Sequence, residues 1–410
     1  MKGNFFDSPQ ENVIFVAKNN DMLKKYIVCL PEKEGTVINE WEQCLKQLKE
    51  FIKDGYRPVK FNVFIDVTEY NSFIEIRRQI IDSLLDALGT ESPAVNVTVH
   101  PPEQPFKVVV EAMFAVGRGA SYKTKLFNGL PYVIVEQSQY RELWAAGVGE
   151  EFPESLKHAA YFAFDNVLEI LQLEGMSFDN VVRQWNYIGN ILEVRDEYQN
   201  YQIFNDIRSE CYRKYRTVKH FPSATGVGMK MPGVFLDICA VDSGEELLIM
   251  PVSNPLQINA YEYGQQVLKG LPLNGTKPKN PPQFERALLV ENRSNLILFI
   301  SGTASIIGQE TIGKGDIAKQ VTVTINNIKT LSEPERIRKT SGRNFSGSGR
   351  YLLLRVYIRR KEDFSIVKEI TEKSFPGVPA VYIQADICRD DLLTETEAVM
   401  VFEPDSKAGN

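Results

Sequence analysis

Histidine, basic excess and long apolar runs are all scarce in this chain, and each scarcity closes off a class of function. Only three histidines occur in 410 residues, His100, His158 and His220, far apart and without a second ligand type at metal spacing. A histidine-built metal site and a histidine base serving a nucleophile are both poorly supported, and no metal or organic cofactor is expected. The five cysteines, Cys29, Cys44, Cys211, Cys239 and Cys388, are odd in number and include no CxxC pair. That pattern fits reduced thiols in a cytosolic protein rather than a disulfide scaffold. The formal net charge of -6 offers no basic footprint for nucleic acid. No apolar run is long enough to span a bilayer. The opening residues, MKGNFFDSPQENVIFV, lack the basic-then-apolar layout of a signal peptide. The expectation is a cytoplasmic protein with no nucleic-acid or membrane partner, whose chemistry rests on carboxylates, tyrosines, arginines or a thiol.

What is present is one unit written three times. Its closing part reads SPAVNVTVHPPEQPFKVVVEAMFA (92–115), FPSATGVGMKMPGVFLDICAV (221–241) and VPAVYIQADICRDDLLTETEAVM (378–400). Each copy starts at Pro-Ala or Pro-Ser and runs through an alternating strand, a turn and a second alternating strand. Upstream of each lies a strand followed by a helix, and before that an amphipathic helix: EWEQCLKQLKEFI, LKHAAYFAFDNVLEIL and DIAKQVTVTINNIKTL. Apolar residues at i, i+3, i+4 and i+7 mark the helices, and period-two alternation marks the strands. The order is hairpin, helix, strand, helix, strand, strand, which predicts an α+β fold with one sheet and two helices on one face per unit. The expected units are 1–115, shortened at its start, 116–245 and 246–410. YGQQVLKGLPLNGTKPKNPP (263–282) is a turn-rich loop inside the third unit, and SGRNFSGSGR (341–350) a flexible connection before its central strand.

This unit, together with LFISGTASI and the closing TETEAV, resembles the RidA/YjgF family, whose chorismate-mutase-like fold forms trimers with ligand sites in clefts between neighbours. Three tandem units imply such a trimer fused into an intramolecular pseudo-trimer, acting as a monomer or as a weak homo-oligomer. FPSATGVGM, NPLQINAYEY, PPQFERA, SGTASIIGQE, LRVYIRR and ADICRDDLLTETEA further resemble the chorismatase branch of that superfamily. The resemblance implies a cofactor-free hydrolase that cleaves the enolpyruvyl ether of chorismate to pyruvate. The other product would be a hydroxybenzoate, with 3-hydroxybenzoate favoured, or a dihydroxycyclohexadiene carboxylate. The arginine that imine deaminases carry after Pro-Ala is missing, with Val95, Ala224 or Thr225, and Val381 in its place. That disfavours imine or enamine deamination. A non-catalytic small-molecule-binding or interaction protein is the other alternative.

Glu395 and Glu397 fall on one side of the last strand, where a solvated edge would be the plain explanation. The resemblance makes Glu395 the group that protonates the enol ether carbon, a step that needs a carboxylic acid still protonated near neutral pH. Glu397 either joins it or raises its pKa by like-charge proximity. At the position of Glu395 the first unit has Val109 and the second Asp237, so one complete site per chain is expected. Cys388, seven residues upstream, is either a small buried apolar residue or, by resemblance, the thiol of the branch that makes 3-hydroxybenzoate. The two substrate carboxylates call for arginine, and period two puts Arg355, Tyr357 and Arg359 on one face of YLLLRVYIRR. Tyr261 and Tyr263 are candidates for substrate contact or for packing. Ala304 and Ser305 stand at a strand end where small side chains leave ligand space. Leu256 replaces the arginine of the family string NPRQ.

Overall fold

The computed structural model describes residues 23–117, 119–243, 248–273, 278–292 and 295–403; the opening stretch read above lies outside them. The chain begins with β1 (Leu23–Cys29), α1 (Val37–Lys53), β2 (Arg57–Ile65), α2 (Tyr70–Leu88), β3 (Ala94–Val99) and β4 (Val108–Val116). Next come β5 (Ser121–Phe127), β6 (Leu130–Gln137), β7 (Tyr140–Gly149), α3 (Leu156–Leu173) and β8 (Val181–Gly189). A small hairpin of β9 (Val194–Arg195) and β10 (Tyr198–Gln199) leads into α4 (Asn200–Tyr215), β11 (Ser223–Met229) and β12 (Val234–Ser243). Then follow β13 (Ile249–Val252), β14 (Ala287–Asn292), β15 (Asn295–Ala304), the short pair β16 (Ile306–Ile307) and β17 (Glu310–Thr311), and α5 (Ile317–Leu331). The chain continues through α6 (Pro334–Ser341), β18 (Arg350–Ile358), α7 (Phe364–Ser374), β19 (Ala380–Gln384) and β20 (Thr394–Phe402).

The three large sheets have the strand orders β1-β4-β2-β3, β5-β6-β7-β12-β8-β11 read from its other edge, and β13-β14-β15-β20-β18-β19. The last four strands of each sheet follow one topology, with a parallel pair at the edge (β2/β3, β8/β11, β18/β19) made by a helical crossover. The first long helix beside each sheet is side-chain capped: Thr36, Ser155 and Asp316 accept from the N–H three residues on. In α1 the buried residues Val37, Trp41, Cys44, Leu45 and Leu48 follow the helical period and face the sheet. β2, β8 and β20 are buried almost throughout. One sheet face packs on helices and the other turns to a shared centre, so these strands do not alternate cleanly.

The shared centre is charged. Lys60 on β2 meets Asp237 on β12 at 2.7 Å, Arg183 on β8 meets Glu397 on β20 at 2.8 Å, and Arg355 on β18 meets Glu111 on β4 at 2.6 Å. The pairs run cyclically, from the first sheet to the second, the second to the third, and the third back to the first. Arg355 is bidentate on Glu111, through Nε and Nη2. Register gives the equivalences. Asp237 lies opposite a bulge at Ala146–Gly147, and Glu397 opposite the matching bulge at Ser301–Gly302. Asp237 is therefore the counterpart of Glu397, and Phe235, not Asp237, holds the place of Glu395. This corrects the sequence alignment, which sets β12 two residues out of step with β4 and β20. Val109 does fall at the Glu395 position, opposite Phe64 as Glu395 is opposite Tyr357.

A buried charge stripped of its partner destabilises by about 3–5 kcal/mol. Lys60→Met should therefore lower the urea midpoint by that much free energy, and adding Asp237→Asn should restore part of it. Equal midpoints for wild type and Lys60→Met would show that the ring carries no stability.

Candidate active site

At the bulge of β15 the backbone of Gly302 is pressed against the Glu395 carboxyl. A Cβ built on Gly302 would stand 2.0 Å from Glu395 Oε1, so no larger residue leaves the carboxyl where it is. Bulges re-aim side chains next to functional sites, and here the bulge leaves room for the acid. Glu395 is 4 % exposed and makes no hydrogen bond or ion pair to any described residue. Burial, and then the fixed charge of Glu397, push its pKa up to about 8. Burial also pushes Glu397 upward, but the guanidinium groups of Arg355 and Arg183 outweigh it and hold Glu397 below the usual carboxylate range. One carboxyl of the pair is thus a fixed anion and its neighbour a neutral acid.

Glu395 opens into a cleft between the second and third sheets that holds about 790 Å³ of atom-free space, part of it open to solvent. Its walls include Tyr201, Arg208, Gly226, Arg286, Cys388 and Arg389. Arg208 and Arg286 are 2 % and 4 % exposed, and neither forms an ion pair with a described residue. Arg208 is held by Asn205 Oδ1 at 2.6 Å, and Arg286 donates to the Tyr263 hydroxyl and the Ile258 carbonyl, both at 2.6 Å. The Nε of each is left without a partner. Unpaired buried guanidinium groups are costly and well suited to bind carboxylates. Cys388 is half-buried, and burial followed by the Glu395 charge pushes its thiol up to about 12, so it acts as a thiol and not as a thiolate. Among the described residues no group of histidine, cysteine and carboxylate side chains could hold a metal ion. No helix among them is long and apolar enough to cross a membrane.

The structure brings Glu395, Cys388, Tyr263 and Ala304 together on the cleft wall. It places the other expected residues elsewhere. Glu397 points into the shared centre, where it accepts from Arg183, Trp185 and Tyr357. Arg355 is 1 % exposed and committed to Glu111, so it is not free for a ligand carboxylate. Arg359 lies beyond the end of β18 and pairs with Asp386 at 3.5 Å. Tyr261 donates to Glu285 at 3.3 Å, and Ser305 to the Ile312 carbonyl at 2.8 Å; neither lines the cleft. Sequence reasoning missed Arg208, Arg286 and Tyr201. A signal for Arg208 exists in the repeat: FIEIR (73–77), FNDIR (204–208) and FSIVK (364–368) put Arg77, Arg208 and Lys368 at one helix position. At the seam of the first two sheets Arg77 is taken up by the Gly147 carbonyl at 2.8 Å and lies over the Phe235 ring. Arg208 faces the cleft that holds Glu395, and no described carboxylate pairs with it.

Fold and site together define an α+β protein with an acid-bearing, arginine-lined cleft between its second and third sheets. A solved chorismatase structure superposes with a TM-score of 0.61 over 93% of this chain and 98% of that chain, at 17% identity, a likeness of fold. Residues 114–240 match the family model of the chorismatase FkbO/Hyg5-like N-terminal domain. The chain is 32% identical over 238 residues to a 3-hydroxybenzoate synthase of Streptomyces hygroscopicus, covering 56% of this chain and 66% of that protein. It is 28% identical over 255 residues to a chorismatase of Streptomyces rapamycinicus, covering 60% of this chain and 72% of that protein. The chain thus spans just under two thirds of the first relative's length. In sequence the chain is thus similar to proteins of the chorismatase branch, and in fold to a solved chorismatase.

The Glu395 carboxyl keeps its proton to about pH 8 in the folded chain, against an ordinary value of 4.5. Its contribution to stability is whole below pH 4.5 and is lost as pH rises through 8. Glu395→Gln removes that loss, so its melting temperature relative to wild type should rise between pH 5 and pH 9. A constant difference across that range would show that Glu395 ionises normally.

Proposed function

We propose that the cleft cleaves the enolpyruvyl ether of chorismate, releasing pyruvate and a hydroxybenzoate, with 3-hydroxybenzoate favoured. The observation that carries the reading is Glu395: buried, unbonded, neutral near pH 7, and facing a cleft with arginines that have no carboxylate of their own. The relatives' names, a 3-hydroxybenzoate synthase and a chorismatase, support the same substrate. We further take the chain to be three units, 1–115, 116–245 and 246–410, arranged as an intramolecular pseudo-trimer. The shared strand order and the cyclic ion pairs support that arrangement.

The two carboxylates of chorismate would be held by Arg208 and Arg286, with Arg389 at the rim. The Arg286 guanidinium lies over the Tyr263 and Phe284 rings, so little side-chain freedom is lost when a ligand binds. Glu395 donates its proton to the terminal methylene carbon of the enol ether. The resulting oxocarbenium ion faces the carboxylate just formed, and water adds to give a hemiketal that collapses to pyruvate. Pyruvate and 3-hydroxybenzoate together contain the atoms of chorismate, so the water that enters leaves again when the ring aromatises. That second loss takes a hydroxyl from one ring carbon and a proton from its neighbour. Cys388, a thiol beside Glu395, gives the leaving hydroxyl its proton and, as the thiolate so formed, takes up the ring C–H proton.

Incubation of the purified chain with chorismate should release pyruvate, and Glu395→Gln should abolish the release while leaving the fold intact. Because the protonated acid is the active form, kcat/KM should be level below pH 8 and fall about ten-fold per pH unit above it. No pyruvate above the spontaneous rate would sink the reading in favour of a binding protein. Arg286→Met should raise KM by at least about ten-fold, the loss of a charged hydrogen bond. Cys388→Ala should change the aromatic product more than the rate of chorismate loss, and an unchanged product mixture would remove the thiol from the chemistry.

A further inference from the structure

Thr225 lies buried at the seam of the second and third sheets, and its hydroxyl is the meeting point of three hydrogen bonds. It donates to the Glu397 carboxylate. It accepts from Arg183 Nη2 at 2.6 Å and from the Gly302 N–H at 3.0 Å. One proton and two lone pairs are thereby used up. The seam of the first and second sheets shows the alternative. There the bulge glycine, Gly147, donates directly to Asp237 Oδ1 at 2.8 Å, and Asn96, which matches Thr225 in its distance from the preceding proline, donates to the same oxygen at 2.8 Å. At that seam the carboxylate itself sits on the bulge glycine. At the seam that carries Glu395 a hydroxyl stands between them, and Glu397 is drawn off toward Arg183 and Trp185. The face of Gly302 is then free for a second carboxyl, and Glu395 occupies it.

We propose that Thr225 is a positioning residue: its hydroxyl ties the Gly302 peptide to the Arg183–Glu397 pair and so fixes the backbone that holds the Glu395 carboxyl toward the cleft. The inference rests on the reading of Glu395 as the acid. Glu395 is faced by Glu397 on its own strand, Arg183 from β8, Arg286 from the segment before β14, Cys388 from the closing hairpin and Tyr201 from α4. Thr225 hydrogen-bonds to the first two of these, so it acts on Glu395 through them and through Gly302. Loss of the hydroxyl frees the Gly302 peptide and lets water reach the carboxyl.

Thr225→Val keeps the shape and the methyl contact and removes the hydroxyl; Thr225→Ser keeps the hydroxyl. The valine variant should lose about ten-fold in kcat, the effect of losing about one or two buried hydrogen bonds, with KM within about two-fold of wild type. The alkaline limb of its kcat/KM profile should move to lower pH. The serine variant should stay within about two-fold in every respect. In parallel, carbon-13 NMR of carboxyl-labelled glutamate, with the Glu395 signal assigned by its absence in Glu395→Gln, reads the acid without substrate. That signal should titrate at lower pH in the valine variant than in wild type. Wild-type kcat with an unshifted signal overturns the proposal, as does a serine variant as impaired as valine. If valine does not fold, Thr225→Ala carries the same expectations. If the chain releases no pyruvate, the NMR signal still decides the role of Thr225, while the reading of function fails on its own.

Discussion

Buried cations that reach the carboxylate of the next sheet are the constraint on which the molecule depends. Lys60, Arg183 and Arg355 each sit on the strand next to the edge of one sheet and meet Asp237, Glu397 and Glu111 on another. Desolvating such groups is tolerable only in the assembled form, so no sheet can keep that strand buried without the other two. The ring also sets the geometry of the seams. It fixes which edge of one sheet faces which bulge of the next, and it holds Glu397 as an anion two residues along the strand from Glu395.

Three seams built on one plan have different contents, and the differences are local. At the first, Phe235 takes the place of the acid and Arg77 is held by the Gly147 carbonyl and the Phe235 ring. At the place of Glu395 in the first sheet stands Val109, and the helix cation Lys368 pairs with Glu103 at 2.9 Å. The seam of the second and third sheets has an acid, an arginine without a counter-ion and an open cleft. Thr225 helps to keep it so, by taking the hydrogen bond that elsewhere seats a carboxylate on the bulge glycine. The asymmetry of the seams follows from a few side chains on sheets of one strand order.

The shared strand order of the three sheets was legible in the element order and in a closing hairpin that starts at Pro-Ala or Pro-Ser, and period two flags Glu395 and Glu397 without any structure. The raised pKa of Glu395 was also legible, since two carboxylates on one buried face force it. Its register was not. Period two reads the same after a shift of two residues, so the alternation alone could not tell that Asp237 stands at the position of Glu397 and not at that of Glu395. The arginines were misassigned for a related reason. Period two shows that Arg355 shares a face with Tyr357, but not that this face meets Glu111, 244 residues away. Arg208 and Arg286 come from a helix and a loop that join the cleft only when the second and third sheets pack. No window of sequence contains both.

The central claim is that one cleft, between the second and third sheets, holds chorismate with its enol ether against the Glu395 side chain. It is tested most directly by a crystal structure of Glu395→Gln soaked with chorismate. The account predicts the enolpyruvyl methylene against the carboxamide introduced at position 395, and the two ligand carboxylates on Arg208 and Arg286. Chorismate bound at another seam, or in this cleft with its carboxylates turned away from both arginines, would contradict it.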